Sequence, residues 1–335
     1  MDELSNNSAG SSYDGVYSSY AERQIISAVL LVASIVGLFG NALVIAAVVL
    51  SKKLWNATYM FVLNLSIADF VTCAYVIPIN TAILLSTEHM PALMPFCTVA
   101  GFLYTLCFGC SINNLLCIAI NRYAVVSVSK ATYSKLFSQR RTAVAIMLTW
   151  LVPTCAVLIP ILTGCLQLGF DKEYLSCVVD TQNSSEGCIL GRMACLVPIQ
   201  FCLISWSCVM IFYRIHTHAK RVQHLAPIEM QVYGDQRMQQ PNLNNKLQVE
   251  VTKNLLFVVG AFVVCILPYS VCVVLSFTLT NTAIVKKIVP TAFAFLSINS
   301  CLNPMIYGLK HPHFKTVFRC IVRGKFAEIP DRIWK

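Results

Sequence analysis

The sequence predicts an all-α membrane protein: a seven-transmembrane helix bundle with a short amphipathic eighth helix. Three observations carry that prediction. Of the 335 residues, 57% are hydrophobic and only 12% charged, whereas about a quarter of a soluble domain is charged. Seven apolar runs reach the roughly 20 residues that a helix needs to cross a bilayer. The cations gather on one side of those runs, the asymmetry that cytoplasmic loops impose.

The polar start, 1–24, has no apolar core of the kind a cleaved signal peptide carries, and is expected to remain as an extracellular tail. The membrane domain is expected at 25–309 and a cytoplasmic tail at 310–335. The first run, Ile25–Leu50, has 26 residues and no charge; the others are Tyr59–Leu85, Cys97–Val126, Thr142–Thr163, Ile189–Tyr213, Leu255–Leu279 and Ile288–Leu309. Interior prolines (Pro78, Pro153, Pro160, Pro198, Pro268, Pro304) would break soluble helices, but a membrane bundle re-satisfies the freed backbone groups.

With the N-terminus outside, 20 of the 25 Lys and Arg residues lie inside; Arg23, Lys172, Arg192, Lys286 and Lys287 lie outside. The net charge of +10 is thus segregated by membrane side, and no nucleic-acid partner is expected. The sequons at Asn6 and Asn183 fall outside and are expected to be glycosylated; those at Asn56 and Asn64 read as chance matches. After the seventh run, KHPHFKTVFRCIVRGK alternates basic and apolar residues at helical spacing, which suits an amphipathic helix on the lipids of the inner leaflet. Cys320 within it is a candidate for palmitoylation, with an unmodified thiol as the alternative.

Most of the sixteen cysteines lie inside apolar runs and read as small buried hydrophobes. Cys97 is different: it sits at the outer surface and needs a partner in an oxidising space. Cys165, Cys177 and Cys188 are available. Cys177 is favoured because it lies mid-loop, free to fold over the bundle; Cys165 and Cys188 then pair with each other or stay free.

Polar groups in lipid mark function. Asp69 stands mid-membrane, and Asn41, Ser111, Asn113, Asn114, Asn299, Ser300 and Asn303 are the polar residues able to converge on it. Asp69, Ser111, Asn299, Ser300 and Asn303 form a candidate sodium site, or a purely structural hydrogen-bond network. Arg122 follows Cys97 by 25 residues, about 38 Å of helix. That places it at the inner mouth, within reach of water, a polar neighbour or a partner protein.

Taken together, GNALV in the first run, LSIAD in the second, Cys97 and NRY bracketing the third, Trp150, Pro198, FVVCILP and NPMIY resemble the rhodopsin-like (class A) G-protein-coupled receptors. The resemblance spans about residues 25–323. NRY in place of DRY, YSKLFS in the second inner loop and NSCLNPMIYG look like the branch of melatonin receptors and the Moody and Trapped-in-endoderm receptors. It implies a multi-pass plasma-membrane receptor that couples an extracellular small molecule to a heterotrimeric G protein. Coupling and activation fall to Asn121, Arg122, Tyr123, Phe262, Pro268, Asn303, Pro304 and Tyr307. No cofactor is implied beyond sodium as an allosteric modulator.

The resemblance also implies an outer pocket lined by Tyr104, Thr105, Phe108, Tyr269, Ser270, Phe293 and Ser297. Tyr104 stands where amine receptors carry an aspartate, and Ser297 where opsins carry the retinal lysine, so a neutral or lipophilic ligand is expected. Ile266 replaces the usual helix-six tryptophan, and Gln248 lies where many members keep an acid that locks the arginine. Melatonin receptors have alanine where Pro304 stands and asparagine where Pro160 stands. Lys286 and Lys287 anchor at head groups or attract a carboxylate. The rival readings are an opsin-like receptor without the retinal lysine and a small polytopic transporter, which would carry paired repeats and more buried ionisable groups. With no triad, metal cluster or phosphate loop, no enzyme is expected.

Overall fold

A computed structural model describes residues 16–86, 91–189, 191, 202, 204–206, 209–210, 213, 257–272, 274–275 and 283–333. Asn6, Pro198, Gln248 and Glu250 lie outside these residues, as does most of the fifth apolar run.

The first helix, α1, is Tyr20–Leu50. It begins earlier than hydropathy suggests because Ser19 caps it: the Ser19 hydroxyl accepts from the Glu22 N–H, and Glu22 reaches back to the Ser18 N–H. The second, α2, is Ala57–Leu85. Asn56, a chance sequon, is its N-cap. A wide π turn, Thr72–Val76, sits just ahead of Pro78 and absorbs the hydrogen bond that proline cannot donate. The third helix, α3, runs unbroken from Met94 to Ser127 and carries NRY inside it. A short helix, α4 (Lys130–Leu136), fills the second inner loop, and α5 (Gln139–Leu162) returns outward. A two-stranded hairpin follows, β1 (Leu168–Asp171) antiparallel to β2 (Ser176–Val179). The last helices are α6 (Phe257–Cys272), α7 (Ala283–Lys310) and the amphipathic α8 (Pro312–Val322).

Among the described residues, five helices are long and apolar enough to cross a membrane, and α6 is a shorter apolar helix. Their exposure is the reverse of a soluble protein's. Ile25, Val32, Ile35 and Phe39 of α1 and Met147, Leu151, Ile159 and Leu162 of α5 face outward, while Asn41, Asn64, Asp69, Asn114 and Asn303 are buried. With lipid outside, apolar side chains lose nothing by exposure, and polar ones must find each other.

Helix α1 packs on α7 and α2, and α3 contacts α2, α5 and the hairpin. The α1–α7 approach requires Gly40, where a Cβ would lie 2.6 Å from the Pro304 ring. Gly101 does the same for the hairpin: a Cβ there would lie 2.5 Å from the Val178 carbonyl oxygen. Cys97 is bonded to Cys177, with Cα atoms 4.9 Å apart. Of the two alternatives for the remaining pair, the structure has Cys165 bonded to Cys188, Cα atoms 6.1 Å apart.

Candidate functional site

The converging polar groups meet where α2, α3 and α7 face one another. Asp69 is buried; it accepts a hydrogen bond from Asn303 Nδ2 at 2.7 Å, and the Ser300 and Ser111 side chains lie beside it. Asn41 joins from α1, donating to the Gly37 and Ser300 carbonyls. A carboxylate offers about four acceptor positions, and Asn303 fills one of them. The Oδ1 atoms of Asn41, Asn299 and Asn303 are buried without a partner. Of these three asparagines Asn299 lines a cavity of about 20 Å³, together with Asp69, Ser111 and Ser300, enough for a water molecule or a small ion. A carboxylate among orphaned oxygens fits a monovalent cation chemically.

The same cavity is walled by Tyr104, Phe108, Phe262, Leu296 and Ser297, and an adjoining one of about 10 Å³ by Tyr104, Phe293 and Ser297. Tyr104 stacks on Phe108 (centroids 6.0 Å apart) and leans on Phe293 (5.1 Å). Three of the seven expected ligand residues, Tyr104, Phe108 and Ser297, therefore line the cavity at Asp69, and Phe293 joins Tyr104 and Ser297 at the adjoining one. Thr105, Tyr269 and Ser270 line neither. The Thr105 and Ser297 hydroxyls are turned onto their own helices, at Gly101 O and Phe293 O. Tyr269 packs instead against Cys272, Val285 and Ala292 near the outer end.

The hairpin covers this end. Asp171 closes its turn, accepting from the Glu173, Tyr174 and Thr181 N–H groups. Cys177 N–H donates to Asn80 Oδ1 (2.8 Å). Val16 N–H bonds the Glu173 carbonyl and the Tyr17 hydroxyl bonds that of Tyr174, so the segment before α1 lies on the hairpin; burial pushes the Tyr17 phenol above its usual range. Lys286 has a partner within the chain that neither expectation named: Glu173 of the hairpin pairs with it at 2.7 Å. Asn183 is exposed on the following turn, its amide held by Asp180.

At the inner end, Asn121 is fully buried. Its Oδ1 accepts from the Thr58 hydroxyl (2.7 Å), and its Nδ2 donates to the Tyr133 hydroxyl of α4 (3.0 Å). Asn121 thereby ties α2, α3 and α4 together. Arg122 itself, expected within reach of water, a polar neighbour or a partner protein, is only 4% exposed. It lies near Tyr59 and Tyr133, its Nε has no partner, and among the described residues no carboxylate pairs with it. The helix turns it inward, under α4 and the start of α8. Tyr123 meets Trp206 of the fifth run, ring centroids 6.0 Å apart. Tyr307 is buried and stacks on Phe314 (5.4 Å). Phe262 and Pro304 are in the interior, and Pro268 is half-buried in α6.

Three polar centres escaped sequence reasoning. Asn64, set aside as a chance sequon, donates to Asn114 Oδ1 (2.8 Å) and Thr149 Oγ1 (2.9 Å) and accepts from Trp150 Nε1 (2.8 Å), locking α2, α3 and α5. An amide in mid-membrane was the available signal. Arg23, counted as an outer-surface cation, is 1% exposed and donates to the Leu84 and Ser86 carbonyls at the end of α2, where the helix dipole favours a cation. His311, between α7 and α8, bonds Tyr59 OH through Nε2 (3.0 Å). Burial, with His313 and Arg122 adding, pulls its imidazole down to about 3.

Cys320, the palmitoylation candidate, is buried at the bundle with its Sγ 3.7 Å from the Glu328 carbonyl oxygen.

Comparison with known proteins agrees with this arrangement. Residues 40–307 match the family described as 7 transmembrane receptor (rhodopsin family). Melatonin receptor type 1C of Gallus gallus is 32% identical over 89% of this chain and 81% of its own; melatonin receptor type 1B of Rattus norvegicus is 28% identical over 90% and 79%. The crystal structure of squid rhodopsin superposes with a TM-score of 0.76 at 20% identity, covering 91% of this chain and 87% of that one, a likeness of fold. These relatives are multi-pass receptors of the plasma membrane and not enzymes, and a transporter is ruled out. The chain belongs to the rhodopsin family of seven-transmembrane, G-protein-coupled receptors.

Proposed function

We propose that this receptor, N-terminus outside and C-terminus inside, takes a neutral, lipophilic aromatic ligand between α3, α6 and α7 and signals through Asn121, Arg122 and Tyr123 to a heterotrimeric G protein. The supporting observation is the lining above Asp69, where Tyr104, Phe108, Phe262, Leu296 and Phe293 surround two small cavities of about 20 and 10 Å³ that have to widen to admit a ligand. Apolar walls with a few polar groups suit such a ligand. No acid stands at Tyr104 to face an ammonium, and Lys286 is paired with Glu173, which favours a neutral ligand over a charged one. Relatives named melatonin receptors make melatonin, neutral and aromatic, the first compound to try. A ligand here presses on Phe262 and on the Asp69 network together, and any preference for one bundle state shifts the population of both ends. Sodium at Asp69, Ser111, Asn299, Ser300 and Asn303 would favour the resting state.

The test is G-protein activation in cells expressing the receptor, screened with neutral indoles, fatty acids and amines. A response to neutral aromatic compounds that is lost in Tyr104→Ala and Phe293→Ala at equal surface expression is expected. A response to charged amines alone would overturn the ligand class.

A further inference from the structure

The chain does not stop at α8. Gly324, at φ 68°, follows the helix; the Lys325 N–H bonds the Cys320 carbonyl (2.9 Å) and the Gly324 N–H that of Ile321 (3.0 Å). This paired closure is a Schellman motif, whose left-handed residue reverses the chain. A short 3-10 turn, Phe326–Glu328, leads back toward the end of α1. There the chain pairs with the first inner loop: Lys52 N–H bonds the Asp331 carbonyl (2.9 Å), Ile333 N–H bonds that of Leu50 (3.1 Å), and the Ser51 hydroxyl bonds that of Pro330 (2.8 Å). Ser51 and Arg332 form an antiparallel bridge. Ile329 is buried in the main core with Leu54, Tyr59, Phe314 and Val317.

Cys320 lies within this assembly. On α8 it shares one stripe with Phe314 and Val317, all buried, while Lys315, Arg319 and Val322 are exposed. The sulfur faces the bundle, 7% of the residue is exposed, and the Glu328 carbonyl oxygen is the atom it meets.

We propose that residues 326–333 are an intramolecular clasp that anchors α8 to the first inner loop and excludes a lipid anchor on Cys320. Acylation joins Sγ to the carbonyl carbon of a thioester donor, with loss of the thiol proton and departure of the donor's thiolate. Sγ must be reached for that, and the returning chain stands over it. Protein clasp and acyl chain are therefore alternative anchors for α8, and opening the first is the condition for the second. Ile329 and the bridge to Ser51 decide which is used.

The test labels the full-length receptor in membranes opened to a maleimide from the cytoplasmic side. Cys320-dependent labelling is the difference between the receptor and Cys320→Ser. Ile329→Asp, and a chain ending after Lys325, should each label at Cys320 at least tenfold faster than the parent, with the parent free of a hydroxylamine-sensitive acyl group. If Ile329→Asp fails to reach the surface, the shortened chain decides. Equal labelling of Cys320 in parent and variants, or an acyl chain on Cys320 of the parent, overturns the proposal.

Discussion

Asn121→Asp is the substitution on which the inner mouth can be tested most directly. The asparagine spends both ends of its amide elsewhere, on Thr58 and Tyr133, and leaves Arg122 without a charged neighbour among the described residues. Aspartate keeps the Thr58 bond, and Tyr133 need only rotate its hydroxyl to donate to the second oxygen. The three-helix tie survives while a negative charge appears beside a guanidinium that is almost fully buried. Hydrogen bonds to charged groups are worth about 1.5–3 kcal/mol against about 0.5–1.5 for neutral ones. The difference, about 1–1.5 kcal/mol, corresponds to roughly tenfold in a two-state ratio. Ligand-free nucleotide exchange on a G protein, at matched surface expression, should fall about tenfold in Asn121→Asp. It should rise in Asn121→Ala, which leaves both hydroxyls unpaired and frees α4, and vanish in Arg122→Ala. Equal basal signals in the parent and Asn121→Asp would refute the idea that an uncharged Asn121 leaves Arg122 lightly held; full signalling by Arg122→Ala would remove Arg122 from coupling.

Asp69→Asn should abolish any sodium dependence of agonist affinity, measured by competition binding with and without sodium; sodium sensitivity retained in the variant would dismiss the site. Cys97→Ala should lose surface expression, and peptide mapping should find Cys97–Cys177 and Cys165–Cys188 bonded, free thiols in functional receptor being the contrary result. His311 resists protonation when folded, from 6.5 down to about 3, so its contribution is complete above about pH 6.5 and is lost as pH falls toward 3. At pH 5 the loss is at most about 2 kcal/mol, and melting of purified receptor between pH 7.5 and 5 should show a drop that His311→Gln removes; an unchanged drop would assign it to other groups. Gly101→Val should displace the hairpin from α3 through the Val178 carbonyl and reduce surface expression several-fold, with normal expression counting against the close approach.

Much of this receptor was legible before any coordinates. Hydropathy placed the spans because lipid demands long apolar helices with internally satisfied backbones, and the cation asymmetry is what the proposed orientation rests on. The order of motifs from GNALV to NPMIY gave the family. Asp69 with Ser300 and Asn303 was legible because an isolated carboxylate in hydrocarbon must gather donors, and few were on offer. Cys177 was picked out for Cys97 by its place in the loop.

Other features depend on which way a side chain points once helices pack. Asn121 and Arg122 are adjacent in sequence, yet the helix turns one toward Thr58 and Tyr133 and leaves the other beside Tyr59. Lys286 and Glu173 are far apart in the chain and pair because the disulfide-pinned hairpin folds over α7. Thr105 looks like a pocket hydroxyl, but its own helix claims it. Cys320 looks like a lipid-facing thiol until the Schellman turn sends the tail back across it. Sequence determines the solvent each segment requires and the partners a buried charge must find. Register, helix rotation and chain reversal decide which partners arrive, because each is set by contacts between residues distant in sequence.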